Sequence, residues 1–323
     1  MSAVLPDPAD LLAALHVVRL PMRVRFRGIT EREVALLHGP AGWGEFGAFP
    51  EYPDAEAAHW LAGAIEAAWI GPPPAVRARI PVNATVPAVP AEQVPQILAR
   101  FPGVDTAKVK VAEPGQGLAD DIARVAAVRA RVPHVRVDAN GGWSVSAAAA
   151  ALREFGPLQY AEQPCRTVEE LVALRRQVPD VPIAADESIR RAEDPLRVAR
   201  AGGLDVAVVK VPPLGGMRQT LRIAEQLSGF GVPIVVSSAL DTAVGMNAAL
   251  AAAAALPELP LACGLATGEF FVDDLVTGRE LRDGALAGAA LEPEPDRLAR
   301  FAAPPGRVAW WRDRVVRCTA LLG

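Results

Sequence analysis

The sequence predicts a (β/α)8-type barrel, a modified TIM barrel, with a small α+β capping domain formed by the N-terminal region and the C-terminal tail. Three observations carry that prediction. From about residue 79 short apolar runs alternate with alanine-rich segments whose apolar residues recur at helical spacing, which implies parallel strands joined by right-handed crossovers. Eight such runs follow one another at roughly 25-residue intervals, the number that closes a barrel. No GxGxxG follows the first run, which argues against an open dinucleotide-binding sheet.

Residues 1–78 form the first part of the cap. There "VRLPMRVRFRGITEREVALLHGPAGWGEFGAFPEY" reads as short strands with a "GPAGWG" turn, and "DAEAAHWLAGAIEAAW" as an amphipathic helix. The barrel spans 79–269, and its strands are "IPVNATV" (80–86), "TAKVKVA" (106–112), "HVRVDAN" (134–140), "QYAEQP" (159–164), "PIAADES" (182–188), "VAVVKVPP" (206–213), "PIVVSSAL" (233–240) and "LACGLAT" (261–267). Between them lie helices such as "LADDIARVAAVRARV" and "TVEELVALRRQV". Residues 270–323 are turn-rich, end in "VAWWRDRVVRC", and complete the cap.

Composition narrows the class. With 323 residues, 51% of them hydrophobic, the chain is long enough for one large core and a smaller unit. A net charge of -4 is unsuited to tracking polyphosphate, so nucleic acid is not an expected partner. Cys165, Cys263 and Cys318 are odd in number, widely spaced and without a CxxC, which points to a reducing compartment rather than a disulfide framework or a zinc site. The first residues lack the pattern of a signal peptide, and "AALAAAAALPELPLACGLA" is broken by prolines and Glu258, so no membrane partner and a cytoplasmic location are expected.

Active sites of such barrels lie at the C-terminal ends of the strands. In "TAKVKVA", Lys108 and Lys110 alternate with valines, so both ammonium groups share one strand face; alone, this is also how a lysine-protected edge strand reads. The following strands end in Asp138 with Asn140, Glu162, Asp186 with Glu187, Lys210, and then Ser237 and Ser238. Asp138, Glu162, Asp186 and Lys210 are spaced by 24 residues each, which predicts one height on successive strands. Three carboxylates at one level repel one another without a cation and make an all-oxygen site for Mg²⁺ or Mn²⁺. Strands two and six face each other across the barrel, so Lys110 and Lys210 flank whatever sits on the metal. Lys108 beside Lys110 would lower its pKa towards neutrality. An amine base beside a divalent cation is equipped to remove a proton α to a carboxylate.

"KVK", "DANGGW", "AEQP", "ADES" and "VVKVPPLGG" resemble, in this order and across residues 106–240, the lysine-based branch of the enolase superfamily. That resemblance implies Lys110 as the base, Lys210 as a cation on the opposite face, Lys108 as a residue tuning Lys110, and Asp138, Glu162 and Asp186 as Mg²⁺ ligands, acting on a small dicarboxylate. "RFRGITERE" and "GWGEFGAFPEY" in the cap, with "SSALDTAVG" (237–245) and "CGLATG" (263–268), most resemble members that eliminate water from a hydroxycyclohexadiene dicarboxylate. Racemases, epimerases and cycloisomerases of the branch share the same motifs. Backbone N–H groups at Ser237, Ser238 and Ala239 are expected to receive a second carboxylate. Asn140 either assists at the metal or bonds a loop, and Glu187 is expected to point away from Asp186 and support the ligands. None of the four histidines is placed as a base, against the histidine-using branch.

Overall fold

Alternating extended and helical segments do close on themselves in the computed structural model, which describes residues 5–26 and 28–322. Arg27 of the "RFRGITERE" segment lies outside the described residues. The chain opens with α1 (Pro8–Ala13), whose first turn is capped by Asp7 accepting from Ala9 N at 2.8 Å. An antiparallel meander follows, β1 (Leu15–Phe26), β2 (Ile29–Gly39) and β3 (Gly42–Phe46). Val34, Ala35, Leu36 and Leu37 of β2 are all fully buried, so both faces of this sheet are covered. Then comes α2 (Asp54–Ile65), which runs on as a π-helical turn over Glu66–Ile70.

Next come β4 (Arg79–Pro81), which belongs to a small separate sheet, and β5 (Ala84–Val86), the first strand of the parallel sheet, followed by α3 (Val94–Leu98). Strand and helix then alternate: β6 (Thr106–Lys110), α4 (Leu118–Arg129), β7 (His134–Asp138), α5 (Val145–Glu154), β8 (Tyr160–Glu162), α6 (Val168–Gln177), β9 (Ile183–Ala185), α7 (Asp194–Arg200), β10 (Val206–Val209), α8 (Met217–Ser228), β11 (Ile234–Val236) and α9 (Met246–Ala255). Local chemistry starts these helices; at α6, Thr167 Oγ1 accepts from Glu170 N and Glu170 Oε2 accepts from Thr167 N, a reciprocal capping box. β5 to β11 form one parallel sheet in sequence order, and residues 263 and 264 close it, bridging in parallel to Val82 on one side and Ser237 on the other. The eighth strand expected at 261–267 is thus reduced to bridges. β6 is paired on both sides, with β5 and with β7, which removes the edge-strand reading of its lysines.

After α9 come β12 (Leu281–Arg282), β13 (Ala285–Ala287), α10 (Pro295–Arg300) and α11 (Pro305–Thr319). β13 pairs with β4, and Leu286 packs into the barrel core. Phe271, Leu275, Phe301, Trp311, Val315 and Cys318 instead join Leu11, Val18, Leu36, Phe46 and Trp60 in a second apolar cluster. Both ends of the chain therefore share the core of the cap.

Register corrects one expectation. Lys110 pairs with Asp138 and Asp138 with Glu162, but Glu162 pairs with Ala184 and Ala185 with Ala207. Asp186 and Lys210 therefore each stand two residues further along their strands than equal height would give. Two offsets of two residues over four strand steps average about one residue per strand, the stagger that tilts and closes an eight-stranded barrel. Offsets of two preserve the inward-facing parity, so the side chains still converge.

A buried link seats the cap on the barrel, and a second ties the two parts of the cap together. Glu66 Oε2 accepts from Met217 N and Glu66 Oε1 from Arg218 N at 3.1 Å, so a cap carboxylate holds the N-terminus of α8. A side chain at Gly216 (φ +116°) would collide with that carboxylate. Arg314 of α11, 1% exposed, donates to the carbonyls of Ala48, Phe49 and Tyr52, fixing the loop that follows β3.

Candidate active site

Alternation along β6 turns Lys108 and Lys110 into the barrel, and each meets a strand-end acid. Lys108 Nζ lies 2.7 Å from Glu162 Oε1 and 3.2 Å from Asp138 Oδ2. Lys110 Nζ donates to Asp138 Oδ2 at 2.6 Å and to Asn140 Oδ1 at 2.7 Å. Lys210, across the barrel, donates to Asp186 Oδ1. The three acids are 1%, 1% and 6% exposed in chain order. Among the described residues no three His, Cys, Asp or Glu side chains form a ready-made metal cage. Each acid is turned towards a lysine, and Asp186 also has Arg190 Nε 3.9 Å from its Oδ1.

Whether the acids suit a divalent cation is tested by what the lysines leave over. Glu162 Oε2 is buried without a hydrogen-bond partner. Burial pushes the Glu162 carboxyl up, Lys108 opposes this, and the charges of Asp138 and Asp186 add to it, for a result of about 7. One Lys108 ammonium therefore does not neutralise this carboxylate's surroundings. A hard cation among buried oxygens would, and the donor set fits Mg²⁺. Asp138 and Asp186 are held below the usual carboxylate range: burial works against this, but Lys110 and Lys108 outweigh it at Asp138, and Lys210 and Arg190 at Asp186. Burial alone would lower Lys108, yet Glu162 and Asp138 raise it well above its ordinary value. Lys108 is a fixed cation beside Lys110.

All of these line one cavity at the C-terminal end of the strands, except Glu162, which lies beneath it. Its far wall comes from the cap, where Phe49, Tyr52 and Trp60 pack edge-on, with Phe49 centroids 5.7 Å from Tyr52 and 6.4 Å from Trp60. Ser237, Ser238 and Ala239 line it too, but their N–H groups are committed. Ser237 N donates to Val209 O at 2.8 Å, Ser238 N to Gly264 O at 3.0 Å, and Ala239 N to Asp241 Oδ2 at 2.9 Å. The expected backbone anion site is therefore already filled by the chain's own acceptors, and a buried acid, Asp241, stands beside it.

Asn140 is a loop bond as well as a lysine partner: its Oδ1 receives Lys110 while its Nδ2 donates to Glu187 Oε1 at 3.1 Å. Glu187 lines the cavity instead of turning away, because β9 ends at Ala185 and strand alternation no longer applies. None of the histidines lines the cavity. Three groups escaped the sequence reading. Gln163 Oε1 accepts from Asp186 N and Ser188 N at 3.0 and 3.2 Å, tying the end of β8 to the loop of Asp186. Arg190 bonds Glu187 Oε1 at 2.9 Å and Tyr52 Oη at 3.4 Å. The aromatic wall is the third. Gln163 sits directly after a strand-end acid, a signal that was available; the others depend on how the cap docks.

Residues 17–68 match the family described as Enolase N-terminal domain-like, and residues 91–290 match Enolase C-terminal domain-like. A protein of Mycolicibacterium smegmatis named o-succinylbenzoate synthase is 64% identical over 320 residues, covering 98% of this chain and 98% of that protein. The o-succinylbenzoate synthase of Mycobacterium tuberculosis is 63% identical over 325 residues, covering 100% and 98%. Among solved structures, muconate cycloisomerase from Pseudomonas fluorescens superimposes with a TM-score of 0.76 at 24% identity, covering 90% of this chain and 98% of that one, a likeness of fold.

Proposed function

Because the chain belongs to the enolase superfamily and, within it, to the o-succinylbenzoate synthases, we propose that it dehydrates 2-succinyl-6-hydroxy-2,4-cyclohexadiene-1-carboxylate to o-succinylbenzoate, a step of menaquinone biosynthesis. The observation that carries this reading is identity of 63–64% along essentially the whole chain with proteins of that name. The reaction is a hydro-lyase reaction on a small dicarboxylate: the proton α to the ring carboxylate and the hydroxyl of the neighbouring carbon leave as water, and the ring becomes aromatic.

Lys110 takes the α proton and, once protonated, returns it to the departing hydroxyl on the same face. Asn140 and Asp138 aim its Nζ. Lys210 stands on the other face and stabilises the negative charge that develops on the carboxylate. Lys108 stays a charged ammonium beside Lys110. Asp138, Glu162 and Asp186 would hold Mg²⁺, or Mn²⁺ in its place, which supplies positive charge to the ring carboxylate as the α carbon loses its proton. The reacting barrel is assigned to residues 79–269, and the cap that closes it to 1–78 with 270–323. Racemisation of N-succinylamino acids and epimerisation of dipeptides suit the same lysine pair but are not favoured, since the close relatives carry the synthase name.

A spectrophotometric assay with the cyclohexadiene substrate tests the reading. Rapid aromatisation with Mg²⁺ that stops in excess chelator is the expected result. Absence of turnover from protein that binds Mg²⁺ would overturn it and redirect attention to N-succinylamino acids.

A further inference from the structure

The substrate carries two carboxylates, and the lysine and acid cluster accounts for one. The other, at the end of the succinyl tail, needs donors that the loop after β11 does not offer, because the N–H groups at Ser237, Ser238 and Ala239 are committed and Asp241 would repel an anion there. Three donors elsewhere in the cavity lack hydrogen-bond partners, Thr267 Oγ1 and two that stand on the side of the aromatic wall. Trp60, 3% exposed, lines the cavity from α2, and its Nε1 is buried with no hydrogen-bond partner. Arg190 lines it from the barrel, and its Nε is likewise buried without one. The two are contiguous through Tyr52, whose hydroxyl is 3.4 Å from Arg190 Nη1 and whose ring centroid is 6.1 Å from that of Trp60. A buried indole N–H without an acceptor is a standing cost that a ligand oxygen removes.

We propose that the tail carboxylate is received on the cap side of the cavity by the Arg190 guanidinium and the Trp60 indole N–H, which makes these two residues the determinants of tail recognition. This rests on the synthase reading and extends it. Arg190 also offsets Glu187, which lines the same cavity and would otherwise repel the tail.

Calorimetric titration of the full-length Mg²⁺-loaded enzyme with the product, o-succinylbenzoate, and with 2-butanoylbenzoate, in which a methyl replaces the tail carboxylate, tests the site. The wild-type enzyme should bind the product more tightly. R190M and W60F should each cut that preference by about tenfold or more, the loss expected for one hydrogen bond to a charged group, with 2-butanoylbenzoate binding nearly unchanged. A preference that survives in either variant removes that residue from the site, and survival in both overturns the proposal. A variant that merely loosens the fold weakens both ligands together and leaves the ratio intact, which also counts against it. Failure of the synthase reading looks different: the wild-type enzyme would then aromatise no substrate and bind neither compound.

Discussion

Lys110 is held by two acceptors, Asp138 Oδ2 and Asn140 Oδ1, so its amine has a defined position before any substrate arrives. K110A should lower aromatisation by at least about 10²–10⁴-fold, the range typical of a lost general base, while Mg²⁺ binding by titration persists; retained turnover would remove Lys110 from the chemistry. Gln163 acts at one remove. Its amide oxygen fixes the backbone of Asp186, so Q163L should weaken Mg²⁺ binding by about 10–100-fold, with the unfolding midpoint changed far less than the affinity. At this scale much was legible in the sequence. Acids and lysines at strand ends are visible because a barrel puts one polar group where each strand stops. The state of the N–H groups at 237–239 was not, since nothing local to "SSAL" announces that Asp241 folds back to accept from Ala239.

Strand ends in this molecule are also where the backbone departs from ordinary conformations. Ala112, Asn140, Gln163 and Leu240, each shortly after β6, β7, β8 or β11, have positive φ. Such turns let a strand stop abruptly and present its last side chain upward. The alternation of elements was readable because a period near two and a period near 3.6 are written in the residues themselves. Heights were misread at Asp186 and Lys210, because stagger between strands is a property of closure and leaves no trace in spacing. Arg190 and Trp60 were invisible for a related reason: they lie far apart in the sequence and come to line one cavity only when the cap docks. One element contact makes a pH prediction. Glu45 of β3 accepts from Thr242 N and Oγ1 in the loop after β11, and burial, with Asp241 adding and Arg32 opposing, raises its carboxyl from 4.5 to about 8. The folded chain therefore keeps this proton after the unfolded chain has released it, so stability falls as pH rises from 4.5 to about 8. Asp241 is raised too and acts in the same sense. E45Q, which cannot ionise, should gain stability relative to the wild type between pH 5 and pH 8.5 in denaturant midpoints; parallel curves would refute this.

At the scale of the whole molecule, two apolar clusters divide the work. The barrel cluster lies between Ile80 and Leu265 apart from Leu286 of β13, whereas the cap cluster draws on elements near both ends and on Ala239, Leu240 and Val244 of the loop after β11. Trp311 of α11 is fully buried and meets Phe46 of β3 edge-on, ring centroids 5.2 Å apart. W311A should destabilise the fold by about 3–5 kcal/mol, read as a lower denaturant midpoint, and a loss below about 1 kcal/mol would show that the cap core closes without it. No helix among the described residues is long and apolar enough to cross a membrane. In the sequence both ends depart from the regular strand-and-helix beat of the middle, and it was composition alone that suggested pairing them in one unit.

Arg314 holds the carbonyls of Ala48, Phe49 and Tyr52 from α11, a helix made long after that loop. A ribosome adding roughly 5–20 residues per second finishes α11 on the order of ten to fifty seconds after it finishes β3. Through that interval the early sheet lacks its tryptophan, and the loop that carries the aromatic wall lacks its anchor. A nascent chain can complete its barrel, with every lysine and acid in place, and still have no wall against which a substrate could rest. Competence would arrive only once α11 has been made, long after the lysines and acids of the barrel.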